Sequence, residues 1–417
     1  MHIHVNYNIP NTRIIKTKNF DAKLSEIFRS IRSGFFFGFA AIYSIFTKTK
    51  RNKEIIACAP SYLNGNILPV YNYLKIDKRF ERAEIFFVVD NNEDVIRLQR
   101  EGIDAVYARD FTQIPRFFRT GVWITDHGPS NIPLYWLYCY GVLSIQKIKG
   151  NALWVDTWHG IGFKGHSQSE YGDRMFMYDV QFVTSEWFKN IYISNFGFKK
   201  EQIYITGYPR NDLLVSANSR ENVSLNEIIP KERFVILYAP TWENISKFED
   251  LFPWELLISL DQIDSLCHKY HAEFYIRPHP ISNIKLECYT VLDEYKHIKM
   301  ADVRKFPDTQ KLLVSAEILV TDWSSICFDY LLTEKPMVFI NSPQPREKFT
   351  LGPDDRPGVI VNTLDEFIEV LSEVLNNPHQ YHEKMQEKLE RILKKCYKYR
   401  DNNSTKRCAD VIFSKLN

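Results

Sequence analysis

Net charge is nearly absent from this chain: 53 Lys and Arg against 51 Asp and Glu leave +2 over 417 residues. That balance removes a global electrostatic case for a nucleic-acid partner. Nor are the basic residues interleaved with aromatics along a strand surface, as a single-strand binder needs. Cysteine is sparse. Cys58, Cys139, Cys267, Cys288, Cys327, Cys396 and Cys408 include no pair with metal-ligand spacing, and an odd number in apolar runs reads as buried thiols in a reducing compartment. There is no H-E-x-x-H, no Walker A loop, and no G-x-G-x-x-G opening a helix after a strand. The two histidines of the opening MHIH make a poor metal site, so no metal is expected. MHIHVNYNIP also lacks the apolar core and processing site of a signal peptide. No internal repeat, coiled coil or low-complexity tract is evident.

Long hydrophobic runs are missing too. The apolar segment 34–46, GFFFGFAAIYSIF, falls short of the roughly 20 residues a bilayer span needs. Arg29 and Arg32 precede it, and Lys48, Lys50, Arg51 and Lys53 follow. Residues 1–60 carry ten Lys/Arg against three Asp/Glu, and 385–407 is basic as well. Two readings fit 34–46: a helix at the membrane interface with its cations on anionic headgroups, or a helix covering a sheet.

What is present is an ordinary globular composition, 45% hydrophobic and 25% charged, in a chain too long for one core. Near-continuous apolar runs recur at EIIACAP (54–60), EIFFVVD (84–90), VWIT (122–125), ALWVD (152–156), QFVTS (181–185) and QIYITG (202–207). Such runs suit parallel strands covered on both faces. A polar stretch, 208–233, reads as a linker. The pattern restarts at FVILYAP (234–240), with a helix near 254–269, then AEFYIRP (272–278), EILVTD (317–322), KPMVFI (335–340) and a helical region over about 366–397. The expected organisation is a basic leader over 1–53, an α/β domain over 54–220, a second over 221–380 and a basic helical end over 381–417. Two such domains form a cleft at the carboxyl ends of their strands.

Polar clusters sit at those strand ends. In ALWVDTWHGIGFKG, His159 lies among Trp158, Gly160, Gly162, Lys164 and Gly165. The glycines permit close ligand approach. A histidine there suits a general base, with a packed structural histidine as the alternative. In FYIRPHP, Arg277 offers a forked set of donors for phosphoryl oxygens and His279 a further donor. In ILYAPTWEN, Thr241 is a phosphate donor and Trp242 a pocket wall; in YITGYPRND, Arg210 and Asp212 suit either a hinge or a ligand. In EILVTDWSSICFDY, Asp322, Trp323, Ser324 and Ser325 follow a strand and open a helix. That turn is either a phosphate cradle of backbone N–H groups or a locally capped helix.

Taken together, WHG with its following FKG, APTW, RPHP and TDWSSICFDYLLTEKPMVF resemble the CDP-glycerol glycerophosphotransferase family, in motif order from roughly 120 to 365. The resemblance implies a GT-B arrangement, α/β, with two Rossmann-like domains facing across a cleft. It implies transfer of an alditol phosphate from CDP-glycerol or CDP-ribitol to a hydroxyl on a lipid-linked or polymeric glycan, at the cytoplasmic face of the membrane, in teichoic acid or capsule synthesis. Position by position, His159 matches the proposed general base. Arg277, His279, Thr241, Ser324 and Ser325 match donor-phosphate ligands, and Asp322 and Asp329 match the acidic positions of S-D-x-S-S-x-x-F-D. Where the family commonly has W-H-G-T-P-L-K-K, this chain lacks the hydroxyl at Ile161 and the second cation at Gly165; Thr321 replaces Ser and Trp323 replaces Tyr. A sugar-transferring GT-B enzyme and a noncatalytic scaffold are the competing expectations.

Overall fold

Two all-parallel sheets organise the computed structural model, which describes residues 33–47, 50–161, 177–216, 233–241, 248–279, 286–303, 305–342 and 351–417. The first sheet comprises β1 (Asn52–Ala59), β2 (Glu84–Val89), β3 (Ala105–Tyr107), β4 (Thr120–Thr125), β5 (Leu153–Asp156), β6 (Val180–Val183) and β7 (Ile203–Ile205). Its order is β3-β2-β1-β4-β5-β6-β7. The second comprises β8 (Phe234–Ala239), β9 (Ala272–Ile276), β10 (Ile298–Met300), β11 (Ile318–Thr321), β12 (Met337–Ile340) and β13 (Val359–Val361), in the order β10-β9-β8-β11-β12-β13.

Burial on both faces explains the apolar runs. In β1, Ile55, Ala57 and Ala59 point into one core while Ile56 and Cys58 point into another. In β8, Val235, Leu237 and Ala239 share the first of these cores, and Ile236 and Tyr238 belong to a third. The shared core is continuous between the sheets: Trp158 and Tyr208 belong to the same buried cluster as Trp323, Phe328 and Tyr397. The last helix, Ser404–Leu416, returns to the first sheet and buries Cys408, Ala409 and Ile412 against it. Asp212 accepts from the amides of Ser404 and Thr405 at 2.9 and 2.8 Å, satisfying donors that a helix start leaves open.

The residues 33–46 form a helix that buries Phe36 and Ala40 while leaving Phe35, Phe39, Ile42, Ile45 and Phe46 exposed. Arg51 does not join the surface cations expected after it. Its guanidinium is buried and donates to the carbonyls of Phe117, Phe118 and Ile148, and burial lowers its pKa to about 10. No described helix is long and apolar enough to cross a membrane.

Each sheet reverses its strand order once, between β1 and β4 and between β8 and β11, and ligands favour such crevices. The two reversals are built alike. Ala59-Pro60-Ser61 follows β1 and Ala239-Pro240-Thr241 follows β8; Thr125-Asp126 ends β4 and Thr321-Asp322 ends β11. Ala59 pairs with Thr125 and Ala239 with Thr321. In both places the aspartate accepts the amide two residues past the neighbouring strand, Ser61 to Asp126 and Thr241 to Asp322, each at 2.8 Å. This short duplicated pattern is the internal repeat that linear reading overlooks, because some 180 residues separate its copies.

Candidate active site

The His159 loop hangs from a buried carboxylate. Asp156, fully buried at the end of β5, accepts from the amides of Trp158 at 2.6 Å and Gly128 at 2.9 Å and from the Thr125 hydroxyl at 2.9 Å. Burial raises its pKa to about 6, against the opposing pull of those donors. Trp158 takes a positive φ of 56°, unusual for a residue with a side chain, and the Asp156 bond helps to hold it there. Asn66 grips the loop from the other side: its Nδ2 donates to the carbonyls of Thr157 and Trp158 at 3.3 and 2.7 Å. Asn66 immediately precedes the helix Ile67–Ile76 yet makes no side-chain cap to it.

His159 itself is half-buried and lies against a second imidazole. The rings of His127 and His159 stack with centroids 4.0 Å apart and planes 15° from parallel. His127 follows Asp126, whose Oδ1 is 3.1 Å from His127 Nδ1, and Tyr62 packs edge-on against the His127 ring. The Trp158 ring also packs on His159, tilted by 36° with centroids 4.4 Å apart.

Arg210 joins this loop to the second sheet. One guanidinium nitrogen donates to the His159 carbonyl at 2.5 Å, and another meets Asp329 Oδ2 at 2.6 Å. The Arg210 amide donates to Asn66 Oδ1. Gly160, at φ +147°, lies so close that an added Cβ would stand 2.7 Å from Arg210 Nη2. Asp329 is buried and also accepts from Asn211 and Gln310 at 3.1 and 3.2 Å. Its carboxylate therefore faces three donors from both domains.

On the second sheet, Asp322 Oδ1 accepts both the Thr241 amide and the Thr241 hydroxyl, the latter at 2.6 Å, while Ser342 donates to Oδ2 at 3.3 Å. Thr241 thus spends its hydroxyl on Asp322. Trp323 is buried, its indole nitrogen donating to the Ser342 carbonyl, with the Arg356 guanidinium 4.4 Å above its ring. Ser324 is half-buried and Ser325 exposed. Ser325 makes no side-chain cap to the helix Ile326–Leu331, so the local-cap reading of its hydroxyl does not hold. Arg277 is buried, with its fork on the Ala301 carbonyl at 2.8 Å and the Thr309 hydroxyl at 3.2 Å; burial lowers its pKa. His279 is half-buried at the exit of β9. Lys164 and Trp242 lie outside the described residues. Among the described residues no group of three or more His, Cys, Asp or Glu is arranged to hold a metal ion.

The profile of CDP-glycerol:poly(glycerophosphate) glycerophosphotransferases matches residues 42–414. The chain belongs to that family. The ribitol-phosphate polymerase TarK of Staphylococcus aureus is 26% identical over 410 residues, covering 90% of this chain and 72% of the relative. The poly(glycerol phosphate) polymerase of Bacillus spizizenii is 26% identical over 343 residues, 76% of this chain and 80% of the relative. A poly(ribitol-phosphate) polymerase of the same organism is 28% identical, but the match covers only 41% of its length. Among solved structures, the wall teichoic acid polymerase TagF superposes with a TM-score of 0.70 at 16% identity, over 97% of this chain and 98% of that one. That likeness establishes the GT-B-like fold of two parallel-sheet domains.

Within this glycerophosphotransferase-family chain, the strand-end placement of the motifs is as the sequence suggests, but the side chains divide the work differently. His159, Gly160, Arg210 and Asp329 come together through one chain of bonds. Asp322, Thr241 and Trp323 form a second knot around Ser342. Linear reading missed Asn66, Asp126, His127, Asp156 and Arg356. The signal for Asp126 and His127 was available: they leave an apolar strand in the same manner as the other clusters. Asn66 and Arg356 carry no such mark.

Proposed function

We propose that this chain transfers an alditol phosphate from a CDP-linked donor to a hydroxyl of a lipid-linked or polymeric glycan, releasing CMP, with glycerol phosphate as the first candidate and ribitol phosphate as the second. The observation that carries the reading is the placement of His159 on a loop clamped by Asp156 and Asn66 and tied through Arg210 to the helix that follows Ser324 and Ser325. A base and an anion-binding turn joined across two domains suit a donor and an acceptor that arrive on different sheets.

The chemistry needs no covalent enzyme intermediate. His159 accepts the proton of the acceptor hydroxyl; that oxygen attacks the phosphorus bearing the alditol; the bond from this phosphorus to the oxygen of CMP breaks and CMP leaves with the electron pair. Charge spreads onto nonbridging oxygens in such a step, which is where fixed donors lower the barrier. Ser324, Ser325 and His279 are the proposed direct ligands of the pyrophosphate. Thr241, Asp322, Trp323 and Arg277 hold the turns in shape. The first sheet then serves the acceptor and the second the donor.

The same reading places the protein at the inner membrane surface as a peripheral enzyme. The exposed apolar face of helix 33–46 suits an interface beside anionic headgroups. A panel of CDP-glycerol, CDP-ribitol and nucleotide sugars, assayed with a defined short acceptor, tests the donor assignment. Transfer from a CDP-alditol supports it, and transfer from a nucleotide sugar alone overturns it in favour of a glycosyltransferase.

A further inference from the structure

We infer that Arg210 and Asp329 are a positioning pair that registers the His159 loop against the donor-side turn, rather than a substrate-binding arginine and a donor-binding carboxylate. The inference rests on His159 acting as the base. Four observations carry it. The Arg210 fork is divided, one nitrogen on the His159 carbonyl and one on Asp329 Oδ2, so a single planar group fixes the distance between loop and helix. Asp329 sits four residues after Ser325, inside the helix Ile326–Leu331. It also accepts from Asn211 and Gln310, so this buried carboxylate already faces three protein donors. On the loop side, Gly160 admits the guanidinium where a Cβ would stand 2.7 Å from it, and Asn66 holds both the Arg210 amide and the Trp158 carbonyl.

A divided fork gives a specific chemical expectation. Lysine carries the charge but presents a single point, so it reaches one partner and not both. Asparagine at 329 keeps the shape of aspartate and removes the charge. Either change lets the loop and the helix move independently while the base and the donor ligands themselves stay chemically unaltered. Geometry at the reacting atoms is where small displacements are costly.

The test uses the full chain, measuring kcat, KM for the CDP-alditol and equilibrium donor binding for R210K, D329N, the double variant and H159A, with thermal melting as a folding control. Asn64→Ala removes a different bridge between the sheets, Asn64 Nδ2 to the Pro307 carbonyl, and serves as the comparison. The expected result is a kcat loss of about 10- to 100-fold for R210K and D329N, donor affinity changed by less than about 3-fold, near-normal kcat for N64A, and a double variant no worse than the poorer single one. Should R210K fail to fold, the nearly isosteric D329N carries the test alone. Wild-type kcat in D329N, or a loss confined to donor affinity, overturns the pairing while leaving the base in place if H159A is inactive. Full turnover in H159A overturns the base reading and the inference with it.

Discussion

The imidazole of His127 lies flat on that of His159, ring centroids 4.0 Å apart, and is itself held at Nδ1 by the Asp126 carboxylate. The proposed base is thus steadied by a stacked ring face, with the Trp158 ring also 4.4 Å from it. Such a contact is worth roughly 0.5–1.5 kcal/mol beyond the area it buries. His127→Ala is therefore expected to lower kcat by about 10-fold through a misaligned base, with donor binding intact. His127→Phe keeps the ring face and is expected to stay within about 3-fold of wild type. Steady-state kinetics on the two purified variants separate these outcomes; equal losses in both would show that the nitrogen atoms matter and the stack does not.

Asp156 predicts an opposition between stability and activity in pH. Its pKa is raised by burial to about 6, above the ordinary aspartate value of 3.8, so the folded chain binds this proton more tightly than the unfolded one. The stability it contributes is fully present below pH 3.8 and is lost as pH rises through 6. The shift corresponds to about 3 kcal/mol. Over the same range deprotonation equips Asp156 to accept from Trp158 and Gly128, and activity should rise. Urea melts at pH 4.5 and 7 should show a smaller pH-dependent change in Asp156→Asn than in wild type, and the asparagine variant should be less active at pH 7.

Arg277 is expected to link donor binding to folding. Its guanidinium bridges the Ala301 carbonyl and the Thr309 hydroxyl, and lysine cannot hold both. Arg277→Lys is expected to lose about 1–3 kcal/mol of stability together with donor affinity. Denaturant melts paired with titration by a nonreactive CDP-alditol analogue check this. Weakened donor binding with unchanged stability would restore Arg277 to the role of a direct phosphate ligand.

The strands were legible where both faces are buried. β1, β2, β4, β5, β6, β7, β8, β9, β11 and β12 all fall on apolar runs visible in the sequence, because alternate residues enter different cores. β3, β10 and β13 were not read. Each has three residues and lies at a sheet edge, too short for a period to register; β7 is as short and as peripheral, but its apolar and aromatic residues are followed by Thr206 and Gly207, which mark its end. The long helical region near 366–397 divides into Leu364–Asn376 and Pro378–Cys396, with Asn377 capping the second through its side chain. At the site, residue types at strand ends were readable but their partners were not. The motif marks Asp329 as an acidic position, but linear motifs do not show that Arg210, 119 residues earlier, meets it.

Helix 33–46 should bind anionic vesicles. Phe46 is 80% exposed and Phe35 62%, on a helix whose other face is anchored by Phe36. Phe46→Ser is expected to cost about 1.5–3 kcal/mol of vesicle affinity if that side chain inserts, and added salt should weaken binding further. Flotation with phosphatidylglycerol vesicles measures both. Equal recovery of wild type and the serine variant would assign the exposed face to something other than lipid.

The most direct measurement is the mass of the product formed from a defined short acceptor and CDP-glycerol or CDP-ribitol, by wild type and by His159→Ala. The expected product is the acceptor extended by one or more alditol phosphate units with stoichiometric CMP, formed at least about 100-fold more slowly without the histidine. Undiminished turnover in the alanine variant, or extension by a sugar instead of an alditol phosphate, would contradict the account.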